Sequence, residues 1–81
     1  MRSFECSLGS DILSGTGIIE SIRHGIIIVM GDDNNRYTLN TGICSRLENT
    51  KEGLPFTGQK IFWKGKLIVF NTINLYLATF Y

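Results

Sequence analysis

The stretch GTGIIESIRHGIIIVMG, Gly15 to Gly31, constrains the fold more than any other part of the chain. It carries Ile18, Ile19, Ile22, Ile26, Ile27, Ile28 and Val29. Side chains branched at Cβ lose rotamer freedom in a helix but pack well on a pleated surface, so this density predicts sheet. His24-Gly25 interrupts the run and divides it into two strands. Next, GDDNN, Gly31 to Asn35, gathers residues that tolerate left-handed backbone or bond their own main chain, which marks a hairpin loop. RYTLN returns as a third strand, with Tyr37 and Leu39 on one face and Arg36, Thr38 and Asn40 on the other.

After Asn40 the period lengthens. In TGICSRLENTKEG, Ile43 and Leu47 lie four apart, Thr41 is placed to cap a start and Gly53 to close an end, which predicts one or two helical turns. Leu54-Pro55-Phe56 is extended, because the residue before proline avoids helix, and Thr57-Gly58 reads as a turn into a fourth strand near Gln59. KGK, Lys64 to Lys66, offers the small central residue of a hairpin tip between QKIFW and KLIVF. NTIN then makes a second turn or bulge before LYLATFY, where Leu75, Leu77 and Thr79 oppose Tyr76, Ala78 and Phe80. Residues 1–14 follow no clean period and read as an N-terminal arm or edge strand, leaving 15–81 as the domain proper.

With 81 residues there is room for one domain, and the 43% apolar share is enough for it to fold. The formal charge of +1 offers little steering toward phosphate or acidic lipid, so a basic site would have to be local. The opening residues lack an apolar core of signal-peptide length, and no run approaches the ~18 residues of a membrane span, so a cytoplasmic protein without membrane association is expected. Cys6 and Cys44 form no recognisable framework and read as small apolar thiols.

Strand, strand, strand, short helix, strand, strand, with glycines where a small sheet must bend, is the order of a five-stranded Greek-key barrel of the OB type. An SH3-like barrel is the chief competitor. Four segments, GTGIIESIRHGIIIV, DDNNRYTLN, LPFTGQKIFWKGK and LYLATFY, resemble the small bacterial cold-shock-like OB domains over residues 15–81. The resemblance implies a Gly-led first strand, an acidic turn before an Arg-Tyr strand and a Pro-x-x-Gly-Gln entry to strand four. The aromatic stacking motifs of cold-shock proteins have no counterpart in GIIIVM, and the third strand offers only Tyr37.

Single-strand binders on barrels need a cationic groove and exposed rings. Lys60, Phe62, Lys64 and Lys66, with Arg36 and Tyr37 across the sheet, supply both, and Arg23 lies among the candidate neighbours. Alternation sends Lys60, Phe62 and Lys64 one way and Ile61 and Trp63 the other, so only one of the two rings faces outward. The competing reading has Phe62 covering an open barrel end while the lysines keep an edge strand soluble.

Catalytic and metal chemistry find less support. His24 with Cys6 or Cys44 would make a thiol-imidazole pair, but no spacing favours it. Two cysteines and one histidine without a close pair cannot clamp zinc, and Asp32, Asp33 and Asn34 lack the distal glutamate of a calcium loop. SGTG precedes a strand where a dinucleotide fingerprint requires a helix. No cofactor is implied. Apolar residues on both parities of GIIIVM and of the tail exceed what one barrel interior holds, which points to a self-associating or partner-binding module with Tyr76, Phe80 and Tyr81 as interface anchors. The expectation is a non-catalytic binding module: single-stranded DNA or RNA first, a protein partner or homo-oligomer as the alternative.

Overall fold

The computed structural model describes residues 12–43, 45–49, 53 and 55–81. Among them are six strands: β1 (Ile12–Arg23), β2 (Ile26–Gly31), β3 (Arg36–Asn40), β4 (Arg46–Asn49), β5 (Lys60–Val69) and β6 (Thr72–Phe80). His24 and Gly25 join β1 to β2 with φ of 51° and 78°. Two successive left-handed residues make the tight turn whose twist matches that of the flanking strands. The β2–β3 loop closes through Gly31 N–H to Asn35 O at 2.8 Å, with Asn34 left-handed at φ 68°.

β1 pairs antiparallel with β2 on one edge and with β5 on the other, β2 pairs with β3, and β5 with β6. β3 then pairs parallel with β6, Thr38 to Asn40 against Thr72 to Asn74, and closes the circuit. The result is a small all-β domain built on a closed five-stranded barrel, β1-β2-β3-β6-β5. Its interior holds Ile19, Ile27, Val29, Leu39, Ile61, Trp63, Ile73, Leu75, Ala78 and Phe80. Gln59, buried just before β5, ties the entry loop: Phe56 N–H donates to its Oε1, and its Nε2 donates to Asn49.

Four expectations are corrected. No helix occurs among the described residues between β3 and β5. Arg46–Asn49 is a strand running parallel to the second half of β6, whose edge β3 leaves open beyond Asn74. Ile43 and Leu47 are 75% and 50% exposed, so their spacing builds no buried helical face, and Thr41 Oγ1 donates to Gly25 O. The remainder of the predicted helix, residues 44 and 50–52, lies outside the described residues, as does residue 54 of the extended segment expected after it.

KGK is not a hairpin tip. β5 runs through it, and the turn falls at Phe70-Asn71, where Asn71 takes φ 53°. Gly65 is buried within the strand, and a Cβ there would come within 3.0 Å of the Asn74 backbone and of the Ile73 side chain. The glycine serves close strand approach, not a reversal.

Phe80 is a core residue, 1% exposed, not an interface anchor. The cause is a bulge: Lys64 faces Leu77 while Gly65 faces Leu75, leaving Tyr76 as an extra residue in β6. One inserted residue reverses the side-chain phase. Ile73 and Leu75 before the bulge and Ala78 and Phe80 after it therefore all point inward.

Finally, the first strand begins at Ile12 and not at Gly15: of the arm or edge strand expected over 1–14, Ile12, Leu13 and Ser14 are strand, continuing β1 against Lys66, Gly65 and Lys64. Residues 1–11, with Cys6, and Cys44 lie outside the described residues.

Candidate nucleic-acid interface

Ile61, Trp63 and Gly65 of β5 are buried, so strand alternation turns Lys60, Phe62, Lys64 and Lys66 outward in one row. Alternate residues of a strand stand about 6.6 Å apart, so the row is a regular line of cations with one ring in it. Phe62 is flanked by Thr16 on β1 and Thr79 on β6, both short side chains that leave its ring accessible at half burial. Tyr81 is held beside the row by its N–H, which donates to Lys60 O at 2.9 Å. Thr16, Lys60, Phe62 and Tyr81 line an open depression of about 460 Å³.

The charge on β5 itself is one-sided, the nearest carboxylate in the Phe62–Thr79 row being Glu48 on β4. Residues 53–81 contain three lysines and no aspartate or glutamate. Among the described residues no carboxylate pairs with Lys60, Lys64 or Lys66; the ion pair found there joins Arg36 Nε to Glu20 Oε1 at 2.7 Å. A chain with a net charge of +1 thus concentrates unpaired positive charge on one strand.

Of the six residues expected to form the site, four come together and two do not. Arg36 sits on β3, across β2 and β1 from the lysine row. Its bond to Glu20, reinforced by the attraction between the charges, holds its pKa above the ordinary value. Tyr37 faces the barrel side of the sheet: its ring centroid is 5.0 Å from that of Trp63 at an interplanar angle of 50°. Its hydroxyl donates to Asp33 Oδ2 at 2.7 Å. That bond, with burial second, raises the Tyr37 pKa, while the same bond and those from Asn35 lower that of Asp33.

The residues proposed as a partner interface also divide. Tyr76 is the half-buried bulge residue, Phe80 is internal, and Tyr81 belongs to the Lys60–Phe62 depression. Thr16 went unnoticed because nothing in a lone threonine shows that it faces Phe62; the register does. A separate feature is the outward side of β2, where Ile26, Ile28 and Met30 form an aliphatic row opposite the buried Ile27 and Val29. Compared with protein-family models, curated proteins and solved structures, the chain matches none.

Proposed function

We propose that the protein is a non-catalytic OB-type barrel that binds single-stranded nucleic acid along the outer face of β5. Supporting the OB reading, the strand circuit is β1-β2-β3-β6-β5 with a parallel β3–β6 pair, whereas SH3-like barrels close with antiparallel neighbours. The resemblance to cold-shock-like domains agrees with such a barrel but carries no stacking residues over. The observation that carries the function is the row Lys60-Phe62-Lys64-Lys66, unpaired cations around an accessible ring with Tyr81 beside it. Bases stack on Phe62 and Tyr81, and phosphates meet the lysines, a combination that tolerates any sequence because every base has a π-face.

The test is fluorescence anisotropy with a labelled single strand at several salt concentrations. Three phosphate contacts predict a log–log salt slope near about −2, from roughly −0.7 per contact on single strands. Phe62→Ala should weaken binding by about 1–3 kcal/mol. Absence of binding at low salt, or an affinity indifferent to salt, overturns the proposal.

The aliphatic row of β2 favours a second reading, self-association through Ile26, Ile28 and Met30, since monomers seldom leave large apolar faces uncovered. Light scattering over a concentration series distinguishes it: a strict monomer removes this reading and leaves the first intact.

A further inference from the structure

Among the described residues, the buried side-chain polar atom without a hydrogen-bond partner is Nε1 of Trp63, in a residue 2% exposed. A buried indole N–H ordinarily finds an acceptor. Its edge lies against Gly15, the residue opposite Trp63 across the β1–β5 pairing. A Cβ on Gly15 would stand 2.9 Å from Cζ2 and 3.4 Å from Nε1, so only glycine lets β1 lie this close to the indole. Beside it opens a cavity of about 220 Å³ whose wall includes Gly15, Thr16, Asp32, Asp33, Tyr37 and Trp63.

The cavity has a definite polarity. Thr16 Oγ1 donates to Asp32 Oδ2, while Asp33 accepts from Tyr37 and from the backbone and side chain of Asn35. Oδ1 of Asp32 takes part in none of these bonds, and no cation among the described residues pairs with either carboxylate. A phosphate is repelled here. A neutral ring with donors for a carboxylate and an acceptor for the indole N–H is suited to it. Thr16 lines this cavity and also the Lys60–Phe62 depression, so a strand lying on the lysines passes its rim.

We propose that the cavity receives one guanine base, Asp32 accepting from its ring N–H and amino group and, as the Gly15 backbone that covers the indole edge gives way to the base, Trp63 Nε1–H donating to the adjacent carbonyl oxygen. This rests on the nucleic-acid reading above. Guanine alone among the bases places two neighbouring donors beside a carbonyl on its pairing edge. Thymine and uracil flank a single N–H with two carbonyls and so set an oxygen against the carboxylate. Adenine and cytosine offer Asp32 one amino group only. Flipped or unpaired bases are read on this edge in such pockets.

The experiment compares two single strands of about ten nucleotides, within the usual site size of such barrels. One is all thymidine, and the other has a single central guanine. Affinity is read by anisotropy, and occupancy by the fluorescence of Trp63, the one tryptophan of the chain. The expected result is a gain of roughly 5- to 150-fold from one guanine, the range of a bidentate base contact, with a change in Trp63 emission. Asp32→Asn should abolish the gain and leave binding of the thymidine strand unchanged, which also verifies that the variant folds. Gly15→Ala, which crowds the indole edge, should remove both the gain and the emission change. If the thymidine strand binds but guanine adds nothing, the base pocket is overturned and the strand-binding reading stands. If neither strand binds, both fall.

Discussion

Replacing Phe80 by alanine empties a site that is 1% exposed at the end of β6, between β5 and β4. Loss of a buried phenylalanine costs about 3–5 kcal/mol, the transfer of the ring plus the cavity left behind. A chain of 81 residues has in total only about 4–12 kcal/mol at ~0.05–0.15 kcal/mol per residue. Urea unfolding followed by circular dichroism should therefore show the midpoint falling by at least about 1.5 M, or the variant largely unfolded at room temperature. Phe80→Leu retains most of the volume and should fall between variant and parent. Tyr81→Ala, one residue on and 48% exposed, should change stability by no more than about 0.5 kcal/mol. The contrast between neighbours tests the bulge at Tyr76 directly, because an unbroken alternation from Leu75 would put Phe80 outside. A Phe80→Ala variant as stable as the parent but altered in self-association would refute that reasoning.

Gly65→Ala should destabilise by well over the ~0.5 kcal/mol of an ordinary surface change, since its Cβ meets the Asn74 backbone, while Gly42→Ala, open on all sides, should be nearly neutral in the same urea assay. Gly25→Ala places a side chain at φ 78° and should cost about 1 kcal/mol or more, whereas His24→Asn suits φ 51° and should hold or slightly raise the thermal midpoint. Tyr37→Phe removes the bond that lowers the Asp33 pKa below 3.8. A carboxylate with a depressed folded pKa contributes stability above its unfolded pKa and loses it as pH falls through the folded one. The deficit of Tyr37→Phe at neutral pH should thus shrink as pH drops below 3.8, and a deficit constant with pH would show that Asp33 is not the partner that matters.

What the sequence determined by itself is local. The isoleucine density between Gly15 and Gly31 dictated sheet, because branching at Cβ acts within each residue. His24-Gly25 and the Asp-Asn loop fixed two reversals, because left-handed backbone is a property of those residues. The outward trio Lys60, Phe62 and Lys64 was equally legible, since period-two alternation within one strand requires no knowledge of its neighbours, whereas Lys66 joins the row only because β5 continues through the expected turn.

Only the tertiary structure decided which strands meet, and the errors follow from that. Gly65 looks like a turn until Ile73 and Asn74 are seen pressed against it. Phe80 looks external until the pairing with β5 shows the extra residue at Tyr76 that reverses the phase of the tail. Ile43 and Leu47 suggested a helix, yet the open edge of β6 offered Arg46–Asn49 a ladder of backbone bonds that four-residue spacing cannot reveal. The unpartnered indole of Trp63 beside Gly15, Thr16 and Asp32 has the same origin, for these residues are neighbours only because a closed barrel brings β1, β5 and the β2–β3 loop to one rim.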